Sequence, residues 1–234
     1  NTNPVISTIG SVHTGGKLGT YNSMGQMSSN VEGNKIALAI YDLGHFEIFD
    51  FNKNNGMLSN NVVLSGFNKA WGVEFSFNGK YLYTTEWAND KIYQFDISTG
   101  IDSTILSSKQ IVGTGTSPHN LYKVGFMTLG PDKKIYVAKF EDNYIGRINF
   151  PDSGGISCQY IDSAINLGVA KSYAGLVTID KNNLIDTTTC LLDMNIAQNG
   201  NSLFTTTTAQ NYYWYDCSMD VLISNSNSNF FIPS

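Results

Sequence analysis

The feature that most constrains this chain is a pattern of strands and turns that occurs three times. In the middle copy, residues 75–85 read as two strands around an Asn78-Gly79 turn, and residues 91–100 read as an alternating strand that ends in a turn. The same order is found at residues 31–56 and again at residues 129–150. A unit of about 40–50 residues that holds several short strands is typical of a β-propeller blade.

Two sets of apolar residues define the register of this repeat, and each set has members spaced 46 and 53 residues apart. The sets are Ile36, Leu82 and Ile135 on one strand of the unit, and Phe49, Phe95 and Ile148 on the next strand. Alternation of apolar side chains along these strands predicts packing between neighbouring blades. Residues 162–171 are the only weak helix candidate, and Gly168 within them favours a loop.

We therefore predict an all-β fold: a partial β-propeller followed by the start of an Ig-like β-sandwich module. Residues 1–180 would form about three blades, preceded at Val5–Val12 by the outer strand of an earlier blade. Three blades do not close a ring, so N-terminal blades are expected to be missing.

Residues 181–189 read as a polar linker, and residues 190–234 as an incomplete second module. This module begins with a hairpin that turns at Asn199-Gly200 and continues with an aromatic strand at Tyr212–Cys217. A strand that carries Trp close to Cys is typical of immunoglobulin-like sandwiches.

Composition excludes one class of function. Charged residues make up only 14% of the chain, the formal net charge is −5, and Arg147 is the sole arginine. Nucleic-acid binding requires a basic face that neutralises phosphates, and this chain cannot assemble one. No apolar run is long enough to span a membrane, and an uncharged polar surface suits an exported protein.

The ordered set of motifs resembles a family of large surface proteins from the Bacteroidota. Residues 71–83 (WGVEFSFNGKYLY) are similar to the "YGVEFSPDG-KLY" blade motif of these proteins, and residues 129–138 (LGPDKKIYVA) resemble "LAPDGKIYVA". Residues 213–217 (YWYDC) match their repeated Ig-like modules. Turn residues depart from the family pattern at 31–33 and 77–79, and Lys133 replaces the turn glycine.

This resemblance implies a substrate of the type IX secretion system, whose members end in a type B (gliding-motility-associated) sorting domain. It implies a secreted or outer-surface location and a non-catalytic scaffold or adhesion role. The expected partners are other surface or secretion-system proteins, glycans, and the remainder of the same polypeptide. No cofactor, nucleic acid or membrane span is expected.

Glu74 is the most interesting carboxylate. Strand alternation directs it towards the propeller axis, where the equivalent residues of the flanking blades are Ser28 and Thr128. It is therefore a weak candidate metal ligand, as in lactonase-like propeller hydrolases, and the alternative is a hydrated channel carboxylate. Asp142 and Asp152 are weaker candidates for calcium, because their spacing matches no known loop.

Two alternatives concern aromatic and histidine side chains. Trp71, Trp87 and Tyr93 would form a sugar-stacking platform of a carbohydrate-binding propeller if they share one face, although aromatic packing in a core is the commoner explanation. The histidines, which are His13, His45 and His119, show no metal-ligand spacing, and solvated loop positions are expected for His45 and His119.

The cysteines and several Asp-Ser/Thr pairs complete the candidate sites. Cys158 is expected to be a buried small apolar residue. Cys190–Cys217 is a possible disulfide that would stabilise the chain by roughly 3–4 kcal/mol; the resemblance instead pairs Cys217 with a cysteine beyond this chain. The resemblance also implies O-glycosylation at Asp-Ser/Thr pairs, which marks Ser103, Ser163 and Thr187.

Overall fold

The computed structural model describes residues 4–13, 21–87, 89–118 and 124–181, together with the backbone of five strands between residues 196 and 231. The chain divides into two compact units, Asn1–Ile185 and Asp186–Ser234.

The described part of the first unit contains three four-stranded antiparallel sheets, each built from four strands that are consecutive in sequence. The first sheet comprises β1 (Met27–Ser29), β2 (Lys35–Ile40), β3 (His45–Phe51) and β4 (Leu58–Leu64). The second comprises β5 (Ala70–Phe75), β6 (Tyr81–Glu86), β7 (Lys91–Asp96) and β8 (Gln110–Thr114). The third comprises β9 (Val124–Leu129), β10 (Ile135–Lys139), β11 (Tyr144–Ile148) and β12 (Tyr160–Asn166).

The predicted register of the repeat is confirmed. Across the second and third strands of each sheet, the paired residues are Ile36 with Phe49, Leu82 with Phe95, and Ile135 with Ile148. Local turn chemistry explains the regularity: Gly33 and Gly79 have φ values of 65° and 69° in the turns after the first strand of their sheets. In the third sheet Lys133 takes this place with φ 62°, although it is not a glycine.

The sheets pack face to face, and each of the two junctions between them is an apolar cluster. The first junction joins the first and second sheets and includes Phe46, Leu64, Phe75, Leu82 and Phe95, all at most 1% exposed. The second junction joins the second and third sheets, and its fully buried members include Tyr83, Ile92, Met127, Leu129 and Ile135. Burial of these side chains is the main favourable contribution to the stacking of the sheets.

The innermost strands meet at a common edge, as in a β-propeller. Strand β5 lies against both β1 and β9. Gln26, the residue before β1, connects the three strands by hydrogen bonds. Its Oε1 accepts hydrogen bonds from the Val73 and Met127 backbone nitrogens, each at 3.0 Å. Its Nε2 donates to the Met127 carbonyl oxygen at 2.5 Å. The described part of the first unit is therefore a partial propeller of three blades.

Two further segments concern helices. In the described residues one short α-helix, α1 (Asp102–Ser107), lies between β7 and β8, where the sequence predicts none. Residues 162–171 form no helix: they are the end of strand β12 and a turn at Gly168, whose φ is 65°, so the loop that Gly168 favours is confirmed there. A 3-10 helix occupies Gly155–Cys158. No helix in the described part of the chain is long and apolar enough to cross a membrane.

The predicted outer strand at Val5–Val12 is not formed. Residues 4–13, which we call the N-terminal segment, have no strand structure and lie on the first sheet. Ser7 Oγ accepts a hydrogen bond from the Leu58 backbone nitrogen at 2.9 Å, and the Ser11 nitrogen donates to Glu47 at 3.0 Å. Side-chain anchoring of this kind replaces the backbone ladder of a strand.

The described strands of the second unit form two sheets. One has the strand order β13 (Ile196–Asn199), β14 (Ser202–Thr205) and β17 (Phe230–Phe231), and the other pairs β15 (Tyr212–Asp216) with β16 (Val221–Ser226). The predicted hairpin is formed by β13 and β14, and the predicted aromatic strand is β15. The Ig-like assignment of this unit stays a prediction.

Candidate functional site

Glu74 lies on the innermost strand β5, as predicted, but the residue is only 2% exposed, and neighbouring groups hydrogen-bond to both oxygens of its carboxylate. Oε1 accepts hydrogen bonds from Ser28 Oγ at 2.8 Å and from the Phe75 nitrogen at 2.7 Å. Oε2 accepts from the Leu129 nitrogen at 3.1 Å. One carboxylate therefore connects the inner strands of all three sheets.

The positive charge that balances Glu74 comes from Lys181, whose ammonium forms an ion pair with Oε1. The same ammonium donates to Ser28 Oγ at 2.7 Å and to the Ser29 carbonyl at 2.6 Å. With three acceptors the ammonium is fully satisfied. A buried carboxylate that is paired and hydrogen-bonded in this way serves to hold the strands together.

Lys181 reaches this position at the end of residues 172–181, which we call the C-terminal strap. The strap crosses the inner edges of the sheets: the Ala174 carbonyl accepts from the Phe126 nitrogen at 2.9 Å and from Trp71 Nε1 at 3.3 Å. The Val177 carbonyl accepts from Thr128 Oγ1 at 3.0 Å. Together with the inner strands, the strap encloses a cleft of about 300 Å³ next to Glu74.

The structure does not bring the candidate metal ligands together. Among the described residues no group of three or more His, Cys, Asp or Glu side chains is placed to hold a metal ion. Asp142 forms an ion pair with the buried ammonium of Lys139 at 2.7 Å. Asp152 accepts a hydrogen bond from the Asn78 nitrogen at 2.9 Å, so the two aspartates have separate roles.

A second arrangement, which sequence reasoning missed in large part, is a row of aromatic side chains at one end of the sheets. We call it the aromatic row; it consists of Tyr21, Tyr41, Trp71, Trp87, Phe126, Phe140 and Tyr173. Six of the rings contact one another in the order Tyr21, Tyr41, Trp71, Trp87, Phe140 and Tyr173, and Phe126 packs beside them on Trp71; the centroid separations lie between 4.4 and 6.4 Å. These separations fall within the range of favourable aromatic pairs.

The three residues of the sugar-stacking hypothesis do not share one face. Trp71 and Trp87 do contact each other, with centroids 4.4 Å apart, but Trp71 is 7% exposed and also packs on Phe126. Tyr93 lies elsewhere, in the first junction, where its ring contacts Phe67 at 5.4 Å. Its hydroxyl donates to Glu86 at 3.0 Å, and burial raises the pKa of Tyr93.

The repeat itself contained the signal for the aromatic row. Tyr41, Trp87 and Phe140 each follow directly after the second strand of their sheet. They are spaced 46 and 53 residues apart, which are the intervals of the apolar register sets. Equivalent strand ends lie at the same end of neighbouring blades, so these three rings come to one end of the sheets. There Trp71 connects Tyr41 with Trp87, and Trp87 contacts Phe140 directly.

The ends of the row are the exposed part. Tyr21 is 50% exposed and Tyr173 is 54% exposed, whereas Tyr41, Trp87 and Phe140 are partly buried. Near Tyr41, the ammonium of Lys69 lies 4.8 Å from the ring centroid and pairs with Asp42. The hydrogen bond from Lys69 and that from the Tyr21 nitrogen hold the pKa of Asp42 below its ordinary value.

Ser11, His45 and Glu47 form a cluster that resembles a hydrolytic triad in composition only. His45 is the first residue of β3 and is partly buried, so its predicted solvated loop position is wrong. Its Nε2 lies 3.1 Å from Ser11 Oγ, but Ser11 Oγ also donates to Glu47 at 2.8 Å. A triad needs the carboxylate on the other ring nitrogen. This cluster instead anchors the N-terminal segment.

The remaining candidates have simple environments. His13 is exposed, and its Nδ1 lies 3.0 Å from the Asn22 carbonyl oxygen. Cys158 is a free thiol and fully buried, as predicted, and burial raises its pKa. Ser103 on α1 and Ser163 on β12 are exposed. The predictions for His119, Thr187, Cys190 and Cys217 lie outside the described residues.

Comparison with known proteins identifies no family. No protein-family model and no curated protein matches the chain. Among solved structures, the hydrazine synthase of Kuenenia stuttgartiensis is similar at 14% identity with a TM-score of 0.46, over 90% of this chain and 52% of that one. A virginiamycin B lyase from Staphylococcus aureus is similar at 17% identity with a TM-score of 0.37, over 58% and 39%.

A luciferin-regenerating enzyme is similar at 13% identity with a TM-score of 0.38, over 56% of this chain and 43% of that one. The chain thus spans about half of these proteins or less. Because all three TM-scores are below 0.5, the propeller assignment depends on the sheet order, the register and the shared inner edge described above.

Proposed function

We propose that this chain is a non-catalytic scaffold that is secreted or displayed on the outer cell surface. It binds partners through the end of its blades at which the aromatic row lies. The observation that carries the proposal is the repetition of one aromatic residue per blade at Tyr41, Trp87 and Phe140. Aromatic side chains are enriched at the centres of protein interfaces and dominate their binding energy.

The resemblance to type IX secretion substrates and the low charge of the chain support an exported location. Partners of such a protein are other surface or secretion-system proteins and the remainder of its own polypeptide. A rigid stack of sheets suits this role, because the sheets hold the binding side chains in fixed positions.

The environment of Glu74 favours the scaffold over a lactonase-like hydrolase. Its two oxygens already receive three hydrogen bonds and the Lys181 ammonium, so a metal ion would have to displace this lysine. Elemental analysis of the purified chain and of Glu74→Gln tests this point. We expect no stoichiometric divalent metal in either protein; metal that is lost in Glu74→Gln would support the hydrolase.

A carbohydrate-binding propeller is the second candidate, and the exposed rings at both ends of the row favour it. Tyr21 and Tyr173 each present about half of their surface to solvent. Aromatic rings of this kind provide large contact area to sugars as well as to proteins. Binding of the chain to a glycan array would identify this candidate.

The test of the binding surface uses three variants of the full chain with equally exposed aromatic residues. Tyr21→Ala and Tyr173→Ala remove the ends of the row. Phe150→Ala removes a residue that is 51% exposed and follows β11 at the opposite end of the third sheet. The chain is photo-crosslinked to the outer-surface protein fraction of the cells that produce it, in parallel with the glycan array.

We expect Tyr21→Ala and Tyr173→Ala to weaken binding by about tenfold, which corresponds to an interface residue worth more than 1 kcal/mol. Phe150→Ala should bind like the unmodified chain. Equal binding by all three variants would show that the aromatic row is not the binding surface. Turnover of ester or lactone substrates that Glu74→Gln abolishes would refute the non-catalytic role.

A further inference from the structure

The inner part of one face of the first sheet is exposed, although the equivalent part is buried in the other two sheets. Met27, Val73 and Met127 occupy the same register position, opposite Leu38, Thr84 and Val137. Val73 and Met127 are fully buried, whereas Met27 is 69% exposed. On the same face, Leu82 and Ile135 are fully buried, and their equivalent Ile36 is partly exposed.

The third sheet shows the reverse pattern on its other face. Phe46, Ile92 and Ile145 are equivalent residues of the third strands, and the first two are fully buried while Ile145 is partly exposed. Ala37, Tyr83 and Tyr136 are equivalent residues of the second strands, and again only the member in the third sheet is partly exposed.

Both internal junctions pair these two kinds of face. At the first junction the Ala37 and Phe46 face of the first sheet covers the Val73 and Leu82 face of the second. At the second junction the Tyr83 and Ile92 face of the second sheet covers the Met127 and Ile135 face of the third. In the described propeller, one face of the first sheet and one face of the third sheet are therefore covered by no neighbouring sheet. These two faces are of the two different types that pack against each other in the internal junctions.

We propose that a second copy of this chain is the occupant of these faces. The far face of the third sheet in one copy, which carries Tyr136 and Ile145, packs on the far face of the first sheet in another copy, which carries Met27 and Ile36. This contact pairs the same two kinds of face as the internal junctions, through their open parts, so it is heterologous: the two patches that meet are different. The proposal is independent of the function proposed above.

The segments that border these faces cover part of them. The N-terminal segment lies over the outer part of the first sheet, where Gly10 approaches Phe49 and Glu47 and both are buried. The C-terminal strap follows the inner edges of the sheets and reaches Ser28 of the first sheet through Lys181. Met27 stays 69% exposed and Ile145 stays partly exposed with both segments in place, so these two residues define the open part of each face.

Sedimentation equilibrium of the full chain over a wide concentration range tests the proposal. We expect a mass above the 25.7 kDa of one chain that rises with concentration. Met27→Lys and Ile145→Lys should each weaken association by about tenfold or more, because an unpaired ammonium would be buried in the contact. Ile156→Lys is the control, since Ile156 is 84% exposed on the 3-10 helix and lies on neither face.

Mixing the two variants distinguishes a heterologous contact from a symmetric one. Met27→Lys retains an intact third-sheet face, and Ile145→Lys retains an intact first-sheet face, so the mixture should form a heterodimer with one competent contact. Circular dichroism confirms that each variant is folded. A single chain mass at every concentration overturns the proposal, and so does unchanged association of Ile145→Lys, which would indicate a symmetric contact of first sheets.

Discussion

The two junctions between the sheets differ in how far their buried polar groups are hydrogen-bonded, and two adjacent residues of strand β6 show this difference. Thr84 and Thr85 are both fully buried. Thr84 faces the first junction, where its Oγ1 has no hydrogen-bond partner among the described residues. Thr85 faces the second junction, where its Oγ1 donates to the Gly125 carbonyl at 2.8 Å and accepts from the Gly72 nitrogen at 3.0 Å.

The surroundings of these residues differ in the same direction, although the first junction also holds one buried hydrogen bond, from the Tyr93 hydroxyl to Glu86. The first junction is held by aromatic contacts such as Phe46 with Phe67 at 4.9 Å, and the Lys109 ammonium lies 3.9 Å from the centre of the Phe67 ring. In the second junction the Tyr83 hydroxyl donates to the Pro151 carbonyl at 2.8 Å and accepts from Gln94 at 2.6 Å.

This difference predicts which substitutions each junction tolerates without loss of stability. An apolar junction loses stability in proportion to the buried surface that a substitution removes. A junction with buried hydrogen bonds is sensitive to single polar atoms, because each unsatisfied partner keeps its full desolvation cost. The following predictions test this contrast.

The largest expected effect is in the apolar junction. Phe75→Ala removes a fully buried ring from the first junction and should lower the free energy of unfolding by about 3–5 kcal/mol, since a cavity remains. Urea denaturation followed by fluorescence measures this change. The control Phe150→Ala, on an exposed ring, should stay within about 0.5 kcal/mol of the unmodified chain; similar losses in both would contradict the packing role.

Asp162 provides a test of the second junction through pH. Burial opposes its ionisation, but hydrogen bonds from Thr116, Lys139 and Tyr160 outweigh burial and hold the pKa of Asp162 below its ordinary value. The ionised carboxylate therefore stabilises the fold above the unfolded pKa of about 3.9. This stabilisation is lost as the pH falls through the lower folded pKa.

We expect Asp162→Asn to lose about 1–3 kcal/mol of unfolding free energy at neutral pH, because the fully buried Lys139 ammonium and the partly buried Tyr160 hydroxyl lose a charged acceptor. The difference from the unmodified chain should shrink below about pH 3.9. Denaturant titrations at several pH values measure it. Asp132→Asn, on an exposed turn, is the control, and a difference for Asp162→Asn that does not depend on pH would argue against its ionisation as the cause.

Thr85→Val should destabilise the chain by about 1–3 kcal/mol, because the Gly125 carbonyl and the Gly72 nitrogen would both lose a buried partner. Valine has nearly the same shape as threonine, so the cavity contribution is small. Thermal unfolding of this variant beside the unmodified chain provides the measurement. Unchanged stability would mean that the hydrogen bonds of the second junction contribute little.

Thr84→Val is the matched variant with the smallest expected effect and the opposite sign. Since the Thr84 hydroxyl has no described partner to lose, its removal should leave stability unchanged or raise it by up to about 1 kcal/mol. The same thermal assay measures both variants. If Thr84→Val and Thr85→Val were equally destabilised, the contrast between the junctions would be wrong.

The sequence predicted the blades because their signals are local. Alternation of apolar residues and the Asn-Gly turn at residues 78–79 depend on neighbours along the chain, and they were sufficient to pair Ile36 with Phe49 and Leu82 with Phe95. Helix α1 was missed because six residues are too few to show helical periodicity. Tyr41 and Phe140 shared the intervals of the repeat, but their positions at the strand ends gave them no alternation to mark them.

The sequence by itself determined that the chain is β-rich, where its repeats begin, and that Glu74 lies on an inner strand beside Ser28 and Thr128. Only the tertiary structure decided that Lys181, 107 residues further along the chain, pairs with Glu74. It also decided which sheet faces stay exposed. The physical reason is range: strand and turn preferences act between residues that are close in sequence, whereas ion pairs and face-to-face packing depend on which segments folding brings together.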